Sequence, residues 1–569
     1  MIVPVETPYL VVVGLLLLGA LGALIADRRR QSNLAGLCVL IGLLVGTLTL
    51  VLVVLAPSFL STVNFLYLPE SRMTHRFVGA PFAFPILAAL LALVVRQMLT
   101  GMMGMPLVLV SVVVTGAAAI GALMSADLLA AYAFATLSGI AGFFTIHAHP
   151  LAGRASVRIG SRYLLLQLLG DTGLLLAVIL VSRGELRLAA GCLVAGGIVR
   201  LGLFPFHRFI LDCARLPGAC SVTVLLVGQA IGMSFFVRAF VLTAGSDDVR
   251  SLLPSGVWLL IPIGLLSCVA GAVLSHGAPS YRAMLDRASL IDCGHIAVAV
   301  GVATAESLAS AVLFSITFLL SRATLLLVAD AASERGQQQR RLPNGPSMLP
   351  FGLGFGTVSF LPPLSGFVAR WLLYLMVGRS GYGWAVGILL VVSLVELSFL
   401  IQRVATLGVP RASISVGRPL VVALAPVWVP LGLVAIGPIF LMFALVSPAI
   451  AVARPSASWS FGLDVLLSFP SVATLLLLLG VVVVGLATYF RPNLMIFRRA
   501  QMLASHRAIV TVERIARIVA SQGLPMWLIS SVSDILFQLG NLVARPSEQR
   551  FFSVAIISLT LALTLIALT

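Results

Sequence analysis

Lysine is absent from this 569-residue chain, so all 36 basic residues are arginines. A buried lysine can lose its proton, whereas arginine stays protonated in essentially any protein site. Every basic side chain here is therefore a permanent cation. Charge of either sign is scarce, at 10% of residues, against about 25% in an ordinary globular domain. That excludes a soluble globular class. The six cysteines (Cys38, Cys192, Cys213, Cys220, Cys268 and Cys293) are scattered, with no CxxC pair and no metal-ligand spacing. They read as small hydrophobes. There is no P-loop, GxGxxG or HExxH motif. No cofactor, metal or catalytic residue is therefore expected, and any energy for transport comes from an ion gradient or a partner subunit.

What the chain has is apolar length: 60% of its residues are hydrophobic. They form repeated runs of about 20 residues, enough to cross a bilayer as helix. Short alternating segments of the β-barrel type are missing. The sequence predicts an all-α polytopic membrane protein of about sixteen spans, near 8–26, 34–56, 77–96, 105–125, 127–147, 160–182, 187–206, 219–243, 255–275, 288–303, 305–330, 348–378, 381–402, 419–447, 466–488 and 551–569. The first run carries neither a basic leader nor a small-residue cleavage site and reads as a retained helix.

The net charge of +17 is distributed as topology rather than as a nucleic-acid site. Arginines crowd alternate loops: Arg28, Arg29 and Arg30; Arg154, Arg158 and Arg162; Arg208 and Arg215; Arg282 and Arg287; Arg335, Arg340 and Arg341; Arg403, Arg411 and Arg418. Intervening loops are poorer or acidic, as at Asp247 and Asp248. By the positive-inside rule the arginine-rich loops face the cytoplasm, which places both termini outside a cytoplasmic (inner) membrane.

Two spans are interrupted. "IVRLGLFPFHRFI" (198–210) puts Arg200 five residues before Pro205, followed by His207, and "SFLPPLSGFVARW" (359–371) puts Pro362, Pro363 and Gly366 just before Arg370. Proline inside a helix removes a hydrogen bond and clashes with the preceding turn. In a membrane such breaks persist where protein or water satisfies the freed carbonyls, and broken helices in corresponding places of two halves mark transport pathways. Ionisable residues accumulate nearby: Asp171, Arg322 and Glu396 sit in otherwise apolar spans, and Asp292 and His295 share one helical face. Each costs at least a few kcal/mol at mid-bilayer and needs a partner or a polar cavity. These residues are the candidate ion pathway. The alternatives are prolines that merely kink helices and arginines that form structural pairs or offset the carbonyl end of a broken helix.

In order and spacing, "GIVRLGLFPFHRFILDCARLPGACSVTVLLVGQAIGMSFFVRAF", "YRAMLDRASLIDCGHIAVAVG", "ITFLLSRATLLLVADAA" and "LPPLSGFVARW" resemble the antiporter-like subunits of respiratory complex I, membrane-bound hydrogenases and multi-subunit cation/proton antiporters. The resemblance is best over about 127–375. It implies two inverted five-helix repeats, each with one broken helix, placed here at 105–243 and 255–402. Around them lie N-terminal helices (1–104) and C-terminal helices (403–490). As in the family's largest member, it also implies a cytoplasmic lateral amphipathic segment (491–550) and a final span (551–569). In that segment Met502, Ile509, Val512, Ala516 and Val519 share one face and Arg499, Arg507, Arg514 and Arg517 another, with Pro525 ending the pattern.

The family moves protons through lysines, a glutamate and a histidine. By the resemblance, Arg200, Arg322 and Arg370 stand at the three lysine positions, Thr136 at the glutamate and Leu225 at the histidine, while Asp171 matches a family acid. The expected relay is therefore rebuilt or lost. Three readings follow. The chain could be an ion-translocating subunit using Asp171, His207, Asp292, His295 and Glu396; a degenerate coupling subunit of a complex I-like assembly; or the membrane subunit of a two-protein inorganic-carbon uptake system with a zinc-containing soluble partner. The partners implied are other subunits of a membrane complex, redox or zinc-containing, and the lipid bilayer.

Overall fold

A computed structural model describes residues 7–29, 31–55, 80–99, 106–125, 127–148, 154–213, 215–216, 218–244, 257–333, 348–406, 418–436 and 468–490. The lateral segment and the final span expected from the sequence lie outside the described residues. All regular structure among the described residues is helical. The helices are α1 (Thr7–Arg28), α2 (Ser32–Leu55), α3 (Ala80–Leu99), α4 (Pro106–Met124), α5 (Leu128–Ala148), α6 (Arg154–Ser182), α7 (Leu186–Leu201), α8 (Arg208–Cys213), α9 (Gly218–Ala244), α10 (Leu260–His276), α11 (Tyr281–Gly301), α12 (Ala305–Ser333), α13 (Met348–Val358), α14 (Ser365–Arg379), α15 (Gly383–Thr406), α16 (Arg418–Ile436) and α17 (Phe469–Phe490). Ten of them are long and apolar enough to cross a membrane.

A helix that is apolar all round belongs in an interior. The spans of α9 and α12 accordingly lie wholly inside the bundle, while α2 and α6 leave more than half of theirs outward. Outward residues such as Leu18, Leu48, Leu433 and Val483 are large and apolar, as a lipid-facing surface requires. Close helix approach uses small residues, as is usual in membranes. A Cβ at Gly196 of α7 would lie 2.7 Å or less from nothing but backbone, its nearest neighbour being the Gly170 carbonyl oxygen of α6 at 2.5 Å. In the second half Gly264 of α10 and Gly294 of α11 meet the same way.

The structure shifts three expected boundaries. The span placed at 288–303 begins at Tyr281, because α11 carries Arg282, Asp286, Arg287 and Asp292 in its first half and is helical without being apolar. The runs at 187–206 and 348–378 each divide into two helices at the predicted breaks. Both breaks contain a cis X-Pro bond, Phe204-Pro205 and Pro362-Pro363.

Candidate functional site

The first break satisfies its own backbone. Gly202, left-handed at φ 68°, caps α7 through its N–H to the Ile198 and Val199 carbonyls, and the Leu203 N–H donates to Ile198 O at 3.0 Å. Among the described residues Arg200 makes no hydrogen bond to the carbonyl end of α7. Its side chain turns to the neighbouring helices: one Nη pairs with the Asp171 carboxylate of α6, and the other donates to Ala135 O of α5 at 3.0 Å. The guanidinium lies 5.9 Å from the centre of the Phe235 ring. Arg200 and Asp171 are 0% and 1% exposed, so the pair is dry. Thr136 places its hydroxyl close to Asp171 without closing a hydrogen bond. Leu225, on α9, is simply core.

The second break is capped by main chain too: Ser359 N–H donates to Phe355 O at 2.8 Å and Leu361 N–H to Gly356 O at 2.9 Å. Between them Phe360 takes φ 41°, and the Arg370 guanidinium lies 4.4 Å from the centre of its ring. Arg370 is one corner of a buried tetrad. Its Nη2 donates to Glu396 Oε2 of α15 at 2.7 Å and to Asp292 Oδ1 of α11 at 3.3 Å. Arg322 of α12 grips the other side of Asp292, Nε to Oδ2 at 3.0 Å and Nη2 to Oδ2 at 2.5 Å, and its Nη2 stands 3.7 Å from Glu396 Oε1. Two fixed cations and two carboxylates, all under 5% exposed, form a unit that is neutral when both acids are ionised. Isolated, any one of these charges would face a desolvation penalty of several kcal/mol.

A directed hydrogen-bond chain runs from this tetrad. Arg370 Nη1 donates to Ser393 Oγ at 3.0 Å, Ser393 and Tyr374 hydroxyls are 2.6 Å apart, and Tyr374 Oη lies 2.8 Å from His295 Nε2. His295 Nδ1 sits 2.8 Å from the Ile291 carbonyl. A carbonyl only accepts, so Nδ1 carries the hydrogen and Nε2 accepts from Tyr374. Every donor then points from Arg370 towards His295.

The fold thus gathers Asp292, His295, Arg322, Arg370 and Glu396 into one cluster and pairs Asp171 with Arg200 in another. His207 joins neither. It is buried in the first break, stacked on Phe204 with centroids 5.5 Å apart, and neither ring nitrogen has a hydrogen-bond partner among the described residues. Sequence reasoning missed several polar groups. Gln167, one turn before Asp171, is fully buried with its amide unbonded among the described residues. It abuts α9 at Gly228, where an added Cβ would be 3.5 Å from that amide. The next residue, Gln229, donates to Ser289 Oγ at 3.2 Å and Cys293 Sγ at 3.4 Å on α11. Buried amides thereby lie between the two clusters, and their uncharged side chains gave no signal in a search for charge. Tyr374 and Ser393 escaped for the same reason. No group of three or more metal-ligating side chains occurs among the described residues.

A bundle of apolar helices with two capped, proline-centred breaks beside buried, mutually compensated charge defines a class: a polytopic membrane protein with ion pairs held inside its helix bundle. Residues 125–398 match the family described as NADH:quinone oxidoreductase/Mrp antiporter, transmembrane region, and that segment is similar to the antiporter-like subunits. It is 25% identical over 241 residues to NADH-quinone oxidoreductase subunit N of Laribacter hongkongensis, covering 40% of this chain and 48% of that protein. It is 23% identical over 227 residues to F(420)H(2) dehydrogenase subunit N of Methanosarcina mazei, covering 36% and 44%. The matched segment spans about half the length of these relatives. In fold it is similar to a chain of the Mrp complex from a Dietzia species, with a TM-score of 0.65 at 17% identity, covering 95% of this chain and 63% of the other. It is similar as well to a chain of respiratory complex I from Thermus thermophilus, with a TM-score of 0.60 at 18% identity, covering 78% and 99%.

Proposed function

We propose that this chain is the proton-translocating membrane subunit of a complex I-like or Mrp-like assembly, and that it moves protons on carboxyls, hydroxyls and imidazole past arginines that never change charge. The observation that carries the reading is the donor chain Arg370–Ser393–Tyr374–His295 attached to the neutral tetrad. A proton taken up at His295 Nε2 turns the Tyr374 and Ser393 hydroxyls round, and Ser393, three residues before Glu396 on the same face of α15, passes its own proton to that carboxylate, whose Oε1 accepts no hydrogen bond among the described residues. The arginines hold the acids in place and the acids take up and release the protons. Thr136 and Leu225, at the family's glutamate and histidine positions, then carry nothing. The two inverted repeats, one around each break, are part of the same reading. Arg96, Arg282 and Arg403 share one end of the bundle through their neighbours Asp330 and Ala278, which supports a cytoplasmic arginine-rich side; termini outside an inner membrane belong to the same proposal. The relatives reported above carry oxidoreductase or Mrp names, so the proposed partners are subunits of such a complex rather than a zinc-containing carbon-uptake protein.

The test is Tyr374→Phe in the reconstituted complex, followed by lumenal acidification of proteoliposomes. The ring and the charges remain, so assembly is expected to persist while proton movement falls by an order of magnitude or more, on the scale of losing one proton-transfer group (about 10²-fold). Unchanged proton movement would refute the hydroxyl route. Lost assembly with normal transport in the residual complex would assign Tyr374 to structure alone.

A further inference from the structure

Asp286 is a buried acid that forms no ion pair among the described residues. It is 0% exposed on α11, and both carboxylate oxygens lack a hydrogen-bond partner among the described residues. The charged and titratable groups around it are Arg282 and Arg287 on its own helix, Arg322 on α12, and Cys213 on α8, the helix that follows the first break. Asp286 therefore stands where the continuation of the first broken helix meets the second charge cluster.

The donors of these arginines are directed elsewhere. Arg322 spends Nε and Nη2 on Asp292 and Nη1 on Leu285 O at 3.1 Å. Arg287 donates to Leu274 O at 2.9 Å. Arg282 gives Nη1 to Asp330 at 3.2 Å and Nη2 to Leu216 O at 2.7 Å. Its Nε has no hydrogen-bond partner among the described residues, and Arg282 lies one turn before Asp286 on the same face. Asp330 already serves a second cation, Arg96 at 2.8 Å.

Two effects oppose each other at Asp286. An ionised carboxylate in a dry interior with no hydrogen bond is strongly disfavoured. The guanidiniums of Arg282, Arg322 and Arg287 around it favour the anion, and the Arg282 Nε–H is on hand to receive it. A group held between such opposed demands changes state when a proton is offered or withdrawn.

We infer that Asp286 is a proton-exchanging acid linking the first break to the Asp292 tetrad: protonated, it stands unbonded as in this structure, and ionised, it accepts the Arg282 Nε–H. The step is a proton binding to and leaving one carboxylate oxygen, with no other bond made or broken. The inference rests on the translocation reading for its purpose but not for its chemistry, and the experiment separates the two. A pH-induced infrared difference spectrum of the purified full chain in its complex is expected to show a carboxylic-acid C=O band that shifts in deuterium oxide. Asp286→Asn should remove that band. In proteoliposomes the same variant should assemble normally and lose proton movement at least tenfold, with Asp286→Glu restoring part of it. Superimposable carboxyl bands in wild type and Asp286→Asn would overturn the inference whatever the transport result. A band that vanishes while the variant still transports normally would overturn the linking role. A wild-type chain that moves no protons would overturn the translocation reading, and the band would still decide whether Asp286 exchanges a proton.

Discussion

Replacing Asp171 with leucine removes the only carboxylate that Arg200 touches among the described residues. The guanidinium is 0% exposed, and its one other hydrogen bond is to the Ala135 carbonyl. Stranding a buried charge by deleting its partner costs about 3–5 kcal/mol, and each ~1.4 kcal/mol is tenfold in an equilibrium. The single variant should therefore shift the unfolding equilibrium by roughly two to three and a half orders of magnitude. Arg200→Met alone should do comparable harm by stranding the carboxylate. The pair together, Asp171→Leu with Arg200→Met, replaces a dry ion pair by apolar volume and should return to within about 1–2 kcal/mol of the parent. The coupling energy of the cycle is then about 3 kcal/mol or more, far above the few tenths expected of independent sites. Cys213, Cys220, Cys268 and Cys293 are free and buried, so a thiol-reactive dye in mild detergent reports unfolding directly. Single variants that lose under about 1 kcal/mol, or a double variant that loses their sum, would refute the claim that this pair is dry and mutually dependent.

Two further outcomes follow from contacts between helices. Gln229→Leu removes the amide that reaches Ser289 and Cys293. It should cost about 1 kcal/mol of stability and slow proton movement severalfold in proteoliposomes; wild-type rates would take Gln229 out of the path. Gly196→Ala inserts a Cβ against the Gly170 carbonyl and the Gly173 backbone, which cannot yield as a side chain would. The expected loss is about 1–3 kcal/mol, and because α6 and α7 must separate, it should be smaller when added to the Asp171→Leu/Arg200→Met background. Equal losses in both backgrounds would show that the glycine contact and the ion pair are unrelated.

Much of the fold was legible because a bilayer imposes strong local rules. Runs of about 20 apolar residues announce spans, and the two proline-centred interruptions fell where α7 and α13 end. The failure at α11 is instructive. Its first turns look polar because Arg282, Asp286 and Arg287 interrupt the hydropathy, and the compensation of the two arginines by Asp330, Leu216 O and Leu274 O inside the bundle is what lets the helix be buried. A window that scores residues one at a time cannot register that compensation.

By itself, then, the sequence determined the class of protein, the two broken helices, and the residues expensive enough to require partners: Asp171, Arg200, Asp292, Arg322, Arg370 and Glu396. Tertiary structure alone decided who partners whom. Asp292 bridges Arg322 and Arg370, which lie 30 and 78 residues further along the chain. His295 finds Tyr374 at a separation of 79, while His207 and Asp286 are left unbonded among the described residues. A charge in an apolar medium carries its penalty wherever it sits, so its presence can be read locally. Relief of that penalty depends on a distance of about 3 Å between heavy atoms, and such a distance exists only once the helices have assembled.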